Sequence, residues 1–210
     1  MQITLMRHGK PLLPEARWVA PFEMAGWIAL YNAAHIDTAA IPAASMTAAT
    51  AASIIAASTA SRAMASAQAL GLKASVADAV FCEAGLPFAL WRFPCLPPRL
   101  WAAVFRLLWL LGYARGSDSV RAAQSRARAA TRRLVAMAQE GPVLLIGHGI
   151  MNRLIAKELL ALGWAQRGKH ASGYWSTSVY ALTGTQPEPA AITPAGSETD
   201  FSACQPSRPK

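Results

Sequence analysis

The sequence predicts an α/β fold, a three-layer α/β/α sandwich around a mostly parallel central sheet, and two observations carry that prediction. Apolar segments of strand length alternate along the chain with segments of helical length. Two of the apolar segments, Gln2 to Met6 and Pro142 to Gly147, each lead directly into a His-Gly pair, His8-Gly9 and His148-Gly149. With 210 residues, 53% of them hydrophobic and 15% charged, the chain can bury one sizeable core and is too apolar to be disordered. One domain is expected over residues 1–183, followed by a flexible Pro- and Ser-containing tail over 184–210.

Gln2 to Met6 reads as a buried strand that stops at the turn Arg7-His8-Gly9. Glu23 to Ala34 and Ser45 to Ala52 read as helices, the second built largely from Ala and Thr. Ser53 to Ala57 is a second buried strand, and Thr59 to Leu70 a helix closed by Gly71, with Arg62 in its first turn. A third short strand is expected over Ala74 to Val76, before an irregular, proline-bearing stretch to Pro98. Arg99 to Leu111 is an apolar helix stopped by Gly112; about 13 residues are too few to cross a bilayer. Ser119 to Glu140 is a longer helix whose Arg121, Arg126, Arg128, Arg132 and Arg133 read as a solvated face, and Gly141-Pro142 ends it. Pro142 to Gly147 as strand, Met151 to Leu162 as helix and Thr177 to Leu182 as strand complete the order.

Twenty Lys and Arg against eleven Asp and Glu give a formal charge of +9, which favours anionic partners without naming one. The sequence has no nucleic-acid motif and no Lys/Arg-rich tract, so nucleic acid is not an expected partner. Cys82, Cys95 and Cys204 lack the paired spacing of a zinc site and read as reduced thiols. Met1 to Lys10 has no basic region followed by an apolar one, so no export signal is expected and the cytoplasm is the expected location.

In parallel sheets, functional side chains collect at the carboxyl ends of strands, which is where His8, Arg62 and His148 are expected to sit. Leu5-Met6-Arg7-His8-Gly9-Lys10, Ser58-Thr59-Ala60-Ser61-Arg62-Ala63 and Gly147-His148-Gly149 together resemble, in content and order, the motifs of the histidine phosphatase superfamily, whose fold is phosphoglycerate mutase-like. The resemblance spans residues 1–182 and implies that His8 takes up a phosphoryl group covalently. It implies further that Arg7, Arg62 and His148 hold the phosphate, with Lys10 as an added contact. These residue types suit that chemistry. A neutral imidazole attacks phosphorus near neutral pH, and fixed cations stabilise charge spread over the equatorial oxygens. The family's acid/base glutamate matches Glu83 in Phe81-Cys82-Glu83-Ala84-Gly85, with Asp78 as the runner-up. The resemblance implies no cofactor and no metal.

The sequence departs from the family in two places. Pro11-Leu12-Leu13-Pro14 lacks a polar phosphate-binding residue, and the stretch from Leu86 to Tyr113 is apolar and Trp-bearing, unlike the cap of a sugar-phosphate mutase. Hydrolysis of a phosphomonoester is therefore the expected reaction, with a phosphoglycerate-type mutase and a non-catalytic phosphate-binding protein as alternatives. A metal site built from His8, His148 and Glu83 is a further alternative. His35 and His170 have no motif context and read as surface or packing residues. Residues 90–111, with Trp91, Trp101, Phe105 and Trp109 among Arg92, Arg99 and Arg106, admit three readings: a lid on the pocket, the interface of a homodimer, or a surface for membrane or lipid.

Overall fold

The computed structural model describes residues 1–13, 18–168 and 172–182, so the tail expected over 184–210 lies outside the described residues. Six strands form one sheet: β1 (Gln2–Arg7), β2 (Ile54–Ser58), β3 (Val76–Asp78), β4 (Val143–Gly147), β5 (Ala165–Arg167) and β6 (Thr177–Ala181). Their spatial order is β3-β2-β4-β1-β6-β5. The first four are mutually parallel, and β6 runs antiparallel to both β1 and β5. The helices are α1 (Met24–Ala33), α2 (Ala43–Thr50), α3 (Ser61–Ala69), α4 (Pro98–Leu110), α5 (Val120–Met137) and α6 (Gly149–Ala161). None is long and apolar enough to cross a membrane.

Strand alternation distributes the core to two faces. On one face Ile3, Leu5, Val143 and Leu145 pack with Leu134 of α5 and with Met151, Ile155 and Leu159 of α6. On the other, Met6, Ile55, Leu144 and Ile146 pack with Ala63 and Ala67 of α3 and Ala49 of α2. The central strand β4 is buried throughout, as its unbroken apolar run requires when both faces are covered. Alanines at 123, 127 and 130 give α5 a buried stripe of small side chains, which lets it lie close against the sheet. A smaller core outside the sandwich joins Met24 of α1 to Ala89 and to Trp101 and Phe105 of α4.

Three expectations need correction. The third strand lies two residues later than Ala74 to Val76, and β5 was not expected at all. Ala165–Arg167 has no apolar run because it is a partly exposed edge strand, held through backbone pairing to β6. Cys95 is a free, exposed thiol, whereas Cys82 is disulfide-bonded, so three reduced thiols do not describe this structure.

Candidate active site

Backbone register brings the two histidines together. Arg7 pairs with Gly147 at the parallel ends of β1 and β4, so His8 and His148 are the next residue on each strand, and the His8 N–H donates to the Gly147 carbonyl at 3.0 Å. Their ring centroids lie 5.0 Å apart. Ser58, at the end of the adjacent β2, sits 2.6 Å from His148 Nε2. Three neighbouring strand ends thus supply one cup.

The hydrogen bonds fix the tautomer of His8. Its Nδ1 is 2.8 Å from the Gly9 carbonyl, which can only accept, so Nδ1 carries the hydrogen. Nε2 then carries the lone pair, which accepts from Arg62 Nε at 3.2 Å. Burial and then the charge of Arg62 lower the His8 pKa from 6.5 to about 3, with a lesser contribution from Arg7 and with the Gly9 hydrogen bond opposing them. Burial and the nearby Arg62 likewise hold His148 well below its ordinary value. Both rings are therefore neutral near pH 7, the state in which imidazole is a nucleophile or a ligand for an oxyanion. Ser58 Oγ accepts from the Ala60 N–H at 3.3 Å; if its own hydrogen goes to His148 Nε2, the hydrogen of that ring is on Nδ1. His148 Nδ1 and Arg7 Nε are buried without a protein partner. Both can donate to an oxyanion.

Aromatic rings and an amide place the two guanidiniums. Arg62 donates from Nη1 to Asn32 Oδ1 at 2.9 Å and lies 5.1 Å from the centroid of the Tyr31 ring. Arg7 lies 4.2 Å from the centroid of Tyr174. The two tyrosine hydroxyls are 3.5 Å apart, so the rings bridge the cup from α1 to the segment before β6. Gly9 is required by close approach: a Cβ there would sit 2.6 Å from the Trp175 ring.

Glu83 follows the 3-10 turn Ala79–Phe81 and reaches the amino end of α6, the helix that His148 caps. Its Oε1 accepts from Met151 N at 2.9 Å and from Ile150 N and Ala84 N at 3.1 Å, while Oε2 accepts only from Ile150 N, at 3.2 Å. Burial lowers the Arg62 pKa, against the raising effects of Tyr31 and, after it, Glu83. His8, Arg7, Arg62, His148 and Glu83 are thus brought to one place. The Lys10 side chain is exposed, and the hydrogen bond of that residue is made by its backbone carbonyl, which accepts from Asp37 N–H at 2.7 Å. Asp78 is turned elsewhere: it caps the turn 79–81 by accepting from Val80 N and pairs with Arg133 of α5. Among the described residues no three His, Cys, Asp or Glu side chains gather as a metal-binding group, so the His8, His148 and Glu83 alternative is not formed.

Sequence reasoning passed over Ser58, Tyr31, Asn32, Tyr174 and Trp175. Ser58 stood inside a recognised motif and could have been found from the strand it ends. The others come from loops and a helix with no local signal, and only the fold delivers them.

An α/β sandwich with two neutral imidazoles at adjacent strand ends and two guanidiniums beside them, one from β1 and one from α3, is the class that fold and site define. Residues 101–193 match the family model described as histidine phosphatase superfamily, branch 1. Comparison with curated proteins gave no match. Among solved structures, the product of the open reading frame Rv3214 from Mycobacterium tuberculosis is similar, with 17% identity, TM-score 0.56, and 87% of this chain and 95% of that one covered. A mycobacterial glucosyl-3-phosphoglycerate phosphatase, Rv2419c with VO3, shares 19% identity at TM-score 0.55 over 89% of this chain and 99% of its own. At these identities the likeness concerns the fold. The chain has the α/β fold of these structures, and its match to the histidine phosphatase superfamily model covers residues 101–193.

Proposed function

We propose that the protein hydrolyses a phosphomonoester through a phosphohistidine on His8. The observation that carries this reading is the His8 ring, locked by the Gly9 carbonyl with its Nε2 lone pair turned toward Arg62. Arg62 gives up that contact to a phosphate oxygen, and Nε2 attacks phosphorus. The P–N bond forms as the bond to the ester oxygen breaks, and the leaving alkoxide takes a proton from Glu83. Oε2, the less engaged oxygen, carries that proton. Arg7, Arg62 and His148 bear on the equatorial oxygens, where charge accumulates. Water, losing a proton to Glu83, then cleaves the P–N bond, and inorganic phosphate leaves.

Hydrolysis is favoured over mutase chemistry by the cap. Of its three arginines, Arg106 is committed to the backbone carbonyls of Ala84 and Gly85 and so is not free to grip a second phosphate. The test is turnover of p-nitrophenyl phosphate and alkyl phosphates in labelled water with chelator present, followed by an alkaline quench and mapping of the modified residue at high pH. We expect a base-stable, acid-labile phosphoryl group on His8, solvent oxygen in the released phosphate, and activity lost by at least about a hundredfold in His8→Ala. Full activity in His8→Ala, or transfer to an added alcohol instead of water, would overturn the proposal.

A further inference from the structure

The segment 82–85 that carries Glu83 is gripped at four consecutive carbonyls by two guanidiniums. Arg126 of α5 donates to the Cys82 carbonyl and to the Glu83 carbonyl, the latter at 3.3 Å. Arg106 of α4 donates to the Ala84 carbonyl at 3.1 Å and the Gly85 carbonyl at 3.0 Å. Asp118 closes the frame: Oδ2 pairs with Arg126 at 2.6 Å, and Oδ1 accepts from the Gly85 N–H at 2.7 Å. Trp109 holds Asp118 in turn, donating from its indole nitrogen to the Asp118 carbonyl at 2.7 Å, and its ring lies 4.8 Å from Arg106. Gly85 is the only residue type that fits, since a Cβ there would lie 2.7 Å from that of Ser117.

A short irregular segment has no strand or helix ladder to hold it, so its carbonyls need other donors. Four successive oxygens taken by two bidentate forks fix both the path of the segment and the direction in which position 83 projects. The Arg126 side chain is only 13% exposed, and neither arginine was expected to touch the site. Arg126 had read as part of a solvated face and Arg106 as part of an apolar cap.

We infer that Arg106 and Arg126 are positioning residues for the proton-transfer step, aiming the Glu83 carboxyl at the leaving oxygen. Through Arg106 the cap helix α4 becomes part of the acid/base apparatus. The inference rests on the function proposed above, and the site itself supplies a readout that a merely structural brace would not move. Proton donation matters for a poor leaving group such as an alkoxide and not for 2,4-dinitrophenolate, which leaves without a proton. The quantity to compare is kcat/KM, which reports the first chemical step for both esters.

Arg106→Lys, Arg126→Lys and Glu83→Gln are assayed with glycerol phosphate and 2,4-dinitrophenyl phosphate, alongside inhibition by inorganic phosphate. We expect each variant to lose about tenfold or more on the alkyl ester and little on the activated one, with phosphate inhibition unchanged. Gly85→Ala displaces the same segment without touching either arginine, and the same pattern is expected of it if a lysine variant does not fold. Equal losses on both esters in the arginine and Gly85 variants, or no loss on either, with Glu83→Gln still discriminating, would overturn this inference alone. If Glu83→Gln itself fails to discriminate, the acid/base role of Glu83 falls, and both proposals fall with it.

Discussion

Buried neutral histidines make the fold acid-sensitive in a way that can be assigned to one residue. His8 has its pKa lowered from 6.5 to about 3, so in acid the unfolded chain takes up a proton that the native state refuses. A depressed histidine therefore contributes stability that is complete above pH 6.5 and is lost as the pH falls from there toward about 3. Each pH unit in that window costs about 1.4 kcal/mol for one group, or roughly 3 kcal/mol over two units, against a typical total of about 5–15 kcal/mol. Carboxylates and His148 add losses of their own, so the difference between wild type and His8→Asn is the informative quantity. Urea unfolding of both proteins at intervals from about pH 7 to about pH 4.5 supplies it. The wild type should lose stability faster than the variant by close to one proton's worth of slope. Parallel curves would mean that His8 is protonated in the folded state, and the neutral nucleophile inferred from its surroundings would be refuted.

Gly9→Ala forces a Cβ to within 2.6 Å of the buried Trp175 ring. Thermal unfolding should register a loss of about 1–3 kcal/mol, and activity should fall with it, because the Gly9 carbonyl that sets the His8 tautomer moves as well. Asp78→Asn removes a partly exposed pair with Arg133 and should cost under about 1 kcal/mol with turnover unchanged; a tenfold drop in turnover would restore Asp78 as an acid/base candidate. Ser58→Ala leaves His148 Nε2 without its partner at 2.6 Å, a penalty of about 1–3 kcal/mol in a buried site, and should raise the inhibition constant for phosphate as His148 reorients.

The apolar runs and the His-Gly pairs made β1, β4 and the cup legible in sequence, because a strand buried on both faces must be apolar and must end where its polar residues begin. Helix α5 was legible in extent and misread in part. Periodicity separates buried alanines from arginines, but it does not tell a solvated arginine from one such as Arg126 that turns back onto a neighbouring segment. Asp78 illustrates the converse. Its position between the second arginine and the second histidine suits an acid/base, yet it lies at the end of β3, where the next backbone N–H groups need a cap and α5 offers Arg133. Tyr31, Asn32 and Tyr174 were invisible because their roles depend on where irregular chain crosses the cup, a long-range fact with no local pattern. Edge strand β5 was missed for the same reason: backbone pairing holds it, not side-chain burial.

The proposed nucleophile and the proposed acid/base are secured by different means. His8, His148 and Ser58 stand at three adjacent strand ends, and a slip of one residue in the β1–β4 register would turn His8 to the opposite face of the sheet. The sheet's hydrogen bonds and two-sided core resist that slip, so these three residues keep their relation whatever covers them. Glu83 has no such support. It stands on irregular chain and reaches the cup only because α6 offers amides to its carboxylate and α4 and α5 each supply a guanidinium to its backbone. Under the proposed function, an α4 whose buried residues are Trp101, Phe105 and Trp109 serves the reaction as long as Arg106 faces the segment 84–85. Substitutions on the exposed face of α4, at Leu100, Leu107 or Leu110, should therefore leave leaving-group discrimination intact, whereas those that rotate α4 about its buried Trp109 should erode it.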